Sequence, residues 1–539
     1  MDTLHSARLA RAVWFFILYG AAGAAAHAQS WNPVLSDAYE NTAMGSGALT
    51  NHSNNLMSGN TASGDYALVT NTQGNRNTAT GAEALYSTQS SDNSAFGFAA
   101  LENNTTGDDN TAAGSQTLYA NSTGANDLAM GFHALFSNTT GSFNTAVGSN
   151  ALYYNTTGFN NTAVGYEALY YNYSVGETAG TNNTASGYQA LYSNTTGGAN
   201  SAAGAGALYS NTTGYDNTAS GYQALYTNST GTGNSALGYQ ALNFNTTGTA
   251  NTASGLWALF QNTAGSYNTA SGAGALAANS TGANNTAFGY EALYSNTTGK
   301  GNAAQGVNAL YANSTGIRNT AVGNNALTNS VAGSYNIALG FEGGYNVTTG
   351  SYNIEIGSPG TSSDNGTIQI GVQGTQTFAS IAGIYGTPVT GSAVFVTATG
   401  QLGVQASSER YKTDIAPMPD LSEKLSRLRP VTFHYKTDPK GIRQYGLIAE
   451  EVDKVYPELV IRDEKGKIQG VHYEELAPML LSEAQLQRQV IAAQDAKLAA
   501  QAAELGELKQ RFAELLEMNR ATQVALAELR GQGSQVAMR

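Results

Sequence analysis

The chain has no cysteine among its 539 residues. A disulfide scaffold, a thiolate zinc site and a cysteine nucleophile are therefore excluded. Proline is scarce at 9, which excludes collagen and a proline-rich linker. Charge is scarce too: only 11% of residues are Asp, Glu, Lys or Arg, against about a quarter in ordinary domains. Basic residues are almost missing from positions 30–400, where only Arg76, Lys300 and Arg318 oppose 16 acidic residues. A nucleic-acid partner, which needs a basic face to displace counterions, is not expected. No stretch after the N-terminus approaches ~20 apolar residues, so no helical membrane anchor is expected once a leader is removed.

Glycine is abundant, at 63. From 401 to the end the composition changes, with 19 Lys or Arg and 20 Asp or Glu. Two materials are thus joined near residue 400: a long polar uncharged one and a short charge-dense one.

At the N-terminus, Arg8 and Arg11 precede the apolar run 12–18, and Ala26-His27-Ala28 follows. This order predicts a secretory signal peptide over 1–28. The product would be secreted or held at the cell surface.

The dominant feature is a repeat. The glycine of Asn-Thr-Ala-x-Gly falls at 187, 204, 221, 238 and onward in equal steps to 357, and near that spacing from 45 to 165. Of these 19 anchors, 18 have Ala two positions earlier and 17 have Leu four positions later. A period of 17 is too short for two packed helices, and a Gly in every copy, with Asn-Thr-Thr-Gly or Asn-Ser-Thr-Gly in most, would break them. The fold class expected is mainly β: a β-solenoid over 29–360, each coil holding two short strands, Thr-Ala-x-Gly and Ala-Leu-Tyr, joined by turns. Stacked coils would place Ala on Ala, Leu on Leu and Asn on Asn. The longer spacing between Gly165 and Gly187 predicts a loop over 173–180. A β transition segment is expected over 361–405.

So few apolar residues per coil favour association with other copies. The Asn-Thr-Ala-x-Gly-x-x-Ala copies resemble the heads of YadA-type trimeric autotransporter adhesins, which are β-rolls packed as trimers. The resemblance implies a homotrimer and a host-surface glycan or protein as receptor. Asn-x-Thr sites such as Asn155-Thr156-Thr157 are formal glycosylation acceptors, but turn chemistry explains them better. Tyr153, Tyr170, Tyr192, Tyr226 and Tyr294 predict a stripe, suited to glycan stacking or, better, to packing between chains.

Further on come Ser407-Ser408-Glu409-Arg410-Tyr411-Lys412-Thr413-Asp414-Ile415, then Val431-Thr432-Phe433-His434-Tyr435, Tyr445-Gly446-Leu447-Ile448-Ala449-Glu450-Glu451, and Val471-His472-Tyr473. In this order they resemble the intramolecular-chaperone auto-processing domain of phage endosialidase tailspikes, a self-cleaving serine peptidase. The resemblance implies a small α+β domain over 406–480. It implies Ser407 as nucleophile, Lys412 as base and cleavage between Ala406 and Ser407. Gly446 would lie beside the oxyanion site, with Arg410, Asp414 and Glu450 in support. Ser408 stands where the family usually has Asp, and Gln444 where it often has His. A lysine amine, with an ordinary pKa near ~10.4, must be desolvated or set near positive charge to act as base. His434 and His472 lack ligand spacing, and no metal or cofactor is expected.

The tail repeats Ile491, Leu498, Leu505, Phe512 and Leu526 in steps of seven, with Leu508, Leu515 and Leu529 three behind. A coiled coil over 481–530 follows, interrupted by Asn519.

The whole predicts an exported, adhesin-like homotrimeric fibre that cuts off its own chaperone. A phage-derived tail fibre and an uncleaved fibre with a permanent cap are the alternatives. A glycan-degrading site is disfavoured, since the acidic residues of the repeats are scattered and only Asp108 and Asp109 adjoin.

Overall fold

The computed structural model describes residues 35–51, 57–173, 179–382, 393–397, 399–463 and 465–536. The signal peptide expected over 1–28, and most of the loop expected over 173–180, lie outside them. The chain divides into two compact units, one ending at Pro388 and one beginning at Val389.

The first unit is a β-solenoid. Each coil contributes one three-residue strand, from Thr42–Met44 to Ile354–Ile356. Consecutive strands pair parallel and in register, as Ala129 with Ala146 and Ala146 with Ala163. The pairing survives the long spacing, since Ala163 still meets Ala185. The ladder continues one coil beyond residue 360, where Ile368–Ile370 pairs with Ile354–Ile356. At the other end Leu35–Ser36 pairs antiparallel with Thr42–Met44 and covers that edge.

One expected element is absent. Ala-Leu-Tyr is a turn and not a second strand. In the copy that begins at Gly148, Asn150 and Leu152 both take left-handed backbone, with φ of 58° and 54°. The same geometry recurs at Leu85, Leu208 and Leu310. Left-handed backbone costs about 1–2 kcal/mol at a leucine. Full burial of the side chain returns about 1.5–3 kcal/mol, and Leu152 is fully buried. The turn still joins coil to coil, because the Leu152 N–H donates to Ala168 O at 3.0 Å.

The core is a column of alanines and leucines flanked by two asparagine columns. In one column, Asn155 Nδ2 donates to Asn138 Oδ1 at 2.9 Å and to Gly158 O at 3.0 Å. In the other, Asn161 donates its N–H to Asn144 Oδ1 at 3.1 Å, while Asn144 Nδ2 donates to Gly158 O at 2.9 Å. Close stacking demands the anchor glycines: a Cβ at Gly221, where φ is +136°, would stand 2.4 Å from Gly238 O.

The second unit holds three two-stranded pairings: Phe395–Val396 with Leu402–Gly403, Val431–Phe433 with Gln444–Gly446, and Val460–Arg462 with Ile468–Val471. Short helices Ser422–Leu425 and Ala449–Val452 accompany them. Val452, Tyr456, Leu459, Val460, Val471 and Met479 form its small core. The helix Tyr473–Val536 runs 64 residues, which includes the expected helical tail. Among the described residues no helix is long and apolar enough to cross a membrane.

Candidate functional site

A 3₁₀ turn at Glu409–Tyr411 shapes the segment that holds the expected nucleophile. The Lys412 N–H donates to Glu409 O at 2.9 Å and closes the turn. The turn folds Lys412 back over the start of the segment, so that Lys412 Nζ donates to Ser407 Oγ at 3.4 Å. The sequence spacing thus becomes a spatial pair. Both side chains are exposed, as are all residues of 401–420. Ala406 and Ser407 therefore present their shared peptide bond at the surface.

The supporting residues divide. The Arg410 guanidinium lies over the Tyr411 ring, 4.6 Å from its centroid. Asp414 takes left-handed backbone with φ of 55°, which a short polar side chain tolerates. Gly446 ends the strand Gln444–Gly446, where a Cβ would stand 2.5 Å from Tyr473 Oη and 3.2 Å from Phe433 Cε1. Tyr473 Oη also accepts the Leu447 N–H at 2.7 Å. Gly446 is thus packed with the first residue of the long helix, while the structure joins Ser407 to Lys412. Glu450 is exposed on the helix Ala449–Val452. Its neighbour Glu451 meets Arg429 Nη2 at 2.5 Å, and that guanidinium holds the Glu451 carboxyl below its usual range. His472 Nδ1 lies 2.8 Å from Glu474 Oε1.

Two features of this unit emerge only in the structure. Tyr473 stands in the last of the ordered motifs, but nothing in that motif shows that it ties the hairpin to the helix. An open apolar groove of about 690 Å³ lies beside it, lined by Leu425, Leu428, Val431, Leu447, Leu476 and Leu480.

In the solenoid, the aromatic stripe forms a column. Tyr119, Phe136, Tyr153, Tyr170, Tyr192, Tyr209 and Tyr226 stack at centroid spacings of 4.9–5.3 Å. Each inner ring has both faces covered by its neighbours, which removes the flat platform that stacking on a sugar requires. The formal glycosylation sites at Asn155 and Asn211 are closed as well, since both residues are fully buried with their amides donating within the ladder.

Residues 407–461 match the family described as chaperone of endosialidase. The match begins at Ser407 and takes in Lys412, Gly446 and Glu451. No curated protein and no solved structure shows significant similarity to the chain.

Proposed function

We propose that this chain is an exported homotrimeric surface fibre whose C-terminal unit drives assembly and is then released by cleavage between Ala406 and Ser407. The observation that carries the reading is the 3.4 Å contact between Lys412 Nζ and Ser407 Oγ, at the start of a segment of chaperone-of-endosialidase type.

The chemistry is a single self-directed turnover. Ser407 Oγ attacks the Ala406 carbonyl carbon, and a neutral Lys412 amine takes the hydroxyl proton. The Ala406–Ser407 C–N bond breaks, the Ser407 nitrogen receives that proton, and an ester joins the two residues. Water opens the ester, leaving a carboxylate at Ala406 and a free amine and hydroxyl at Ser407. In one chain the pair is exposed. Closure of a trimer around it would desolvate the lysine and favour the neutral amine, so cleavage would follow correct assembly.

Two surfaces support a trimer. The long helix leaves Leu498, Leu505, Phe512 and Leu515 between 52% and 64% exposed, an arrangement that partner helices would cover. Outward positions next to the strand alanines carry Phe96, Met130, Leu237, Phe288 and Leu339, all exposed. The Arg8–Ala28 order supports export, and the uniform repeats suit an attachment fibre for a host-surface glycan or protein. Near-identical coils can also slip by one repeat at little cost, and a C-terminal clamp would set their register.

Intact masses of the expressed wild type and of Ser407→Ala test the reading. A wild-type product ending at Ala406 beside a full-length variant supports it. Full-length chains in both leave a permanent cap, and cleavage of the variant removes Ser407 from the chemistry.

A further inference from the structure

Glu355 breaks the alanine column of the solenoid. It stacks on Ala338 and is followed in register by Gln369. Its side chain is fully buried, and neither carboxyl oxygen meets hydrogen-bond geometry with any group. The coils here also lose filling. Gly343-Gly344 replace the usual Ala-Leu, and the step from Gly357 to Gly371 is shorter than the regular period.

A second acid faces the same spot. Asp364 is 7% exposed, and Ser358 beside it is 2% exposed. A Cβ at Gly360 would stand 3.1 Å from Asp364 Oδ2 and 3.2 Å from Glu355 Cδ, so the two carboxyls converge on that glycine. Asp364 is fixed in place. Its Oδ2 accepts the Thr361 N–H at 2.6 Å and Gln369 Nε2 at 3.0 Å, and its Oδ1 accepts the Thr361 hydroxyl at 2.7 Å. Ser358 Oγ accepts the Gly360 N–H at 3.1 Å and donates to Gln369 Oε1 at 2.9 Å.

Nothing in the sequence supplies a neutralising charge nearby. No Lys or Arg occurs between Arg318 and Arg410, and no His between His133 and His434. An unpaired buried carboxylate is too costly to persist, so it must take up a proton or a cation. Burial, with Asp364 adding to it, pushes the Glu355 carboxyl up to about 7. A proton shared with Asp364 would answer one oxygen of Glu355, whereas a cation would answer both.

We propose that Glu355 and Asp364, with Ser358 as a neutral oxygen donor, form a calcium site that closes the C-terminal end of the solenoid core. The donors are all oxygen, which suits a hard cation. Glu355 is closed from solvent, and Ser358 and Asp364 nearly so. Calcium accepts irregular oxygen shells, whereas magnesium retains waters that such a site would exclude. A bound cation would supply the coordination that the Glu355 oxygens lack.

The test uses the full chain stripped with chelator, titrated calorimetrically with calcium chloride and with magnesium chloride at about pH 8. Glu355→Ala restores the residue found in the 18 coils before it; Asp364→Asn removes the second charge. The expected result is one calcium per wild-type chain, no comparable magnesium binding and a solenoid melting transition raised by about 3 °C. Both variants should lose that response, and Glu355→Ala in chelator should melt no lower than the stripped wild type. Absence of calcium binding to the wild type, or equal binding to both variants, overturns the site. A wild-type transition that rises on acidification and ignores calcium assigns a shared proton instead and equally overturns it. None of these readouts depends on cleavage at Ser407.

Discussion

Asp127 Oδ1 accepts both the backbone N–H and the side-chain amide of Asn144, at 2.8 and 3.1 Å. A carboxylate thus stands in a column otherwise built of asparagine. Asn138 Nδ2 donates to its second oxygen at 3.1 Å, yet the residue is only 2% exposed. Burial outweighs these hydrogen bonds and pushes the Asp127 carboxyl up to about 7.

A pH dependence follows. The folded state holds its proton up to about pH 7, while the unfolded chain releases it near pH 3.8. Between those values the folded state binds more protons, so stability falls as pH rises and levels off above about 7. Asp127→Asn should remove this contribution and stabilise the neighbouring coils by a few kcal/mol at about pH 8, with little change at about pH 4. Hydrogen exchange of coils 110–160 at the two pH values measures it. Equal protection in variant and wild type at the higher pH would show that the acid carries no cost.

Lys412→Arg keeps a cation beside Ser407 but removes the option of a neutral base. On the proposed mechanism cleavage should slow by at least ~100-fold, with the oligomeric state in light scattering the same as the wild type's. Wild-type rates of cleavage would show that Lys412 does not take the proton.

Gly221→Ala sets a Cβ 2.4 Å from the Gly238 carbonyl oxygen in a backbone with φ of +136°. The loss should be about 3 kcal/mol or more, read as a lower melting transition of the solenoid. Thr218→Ala, at an exposed position of the strand Thr218–Ser220 just before Gly221, should stay within about 0.5 kcal/mol. Similar melts for both would mean that the coils are not stacked as described.

Leu505→Asp combined with Phe512→Asp places charge where the helix is 52% and 64% exposed and apolar. The full chain should sediment as a monomer, and Ala406–Ser407 should stay intact. A trimer that survives the pair would move the assembly surface away from this helix.

Much of the fold can be read from the spacing of residues, and the misses have physical causes. The anchor glycines and their alanines give the strand, its register and the stacking of asparagine on asparagine. Ala151-Leu152-Tyr153 looks like a strand because nothing in leucine announces a left-handed backbone; only the burial gained by the closed coil makes that conformation tolerable. Asparagine reads as turn chemistry, while the coil turns Asn155 inward, where its amide is spent on Asn138. Ser407 and Lys412 are legible through their motif, but their exposure depends on a whole segment packing against nothing. Glu355 is visible as the one anchor lacking alanine, yet its isolation from any base becomes plain only when the column is traced.

The in-register ladder also separates length from folding. Each coil satisfies its hydrogen bonds with the coil before and the coil after, and the two ends differ from the middle: Leu35–Ser36 covers one edge and the short coil of Ile368–Ile370, stacked on the Glu355 coil, ends the other. A tandem duplication or loss of one repeat's codons would therefore change the reach of the fibre by one coil, about 4.8 Å, with no new contact to invent. Selection can set reach by copy number while both ends stay as they are.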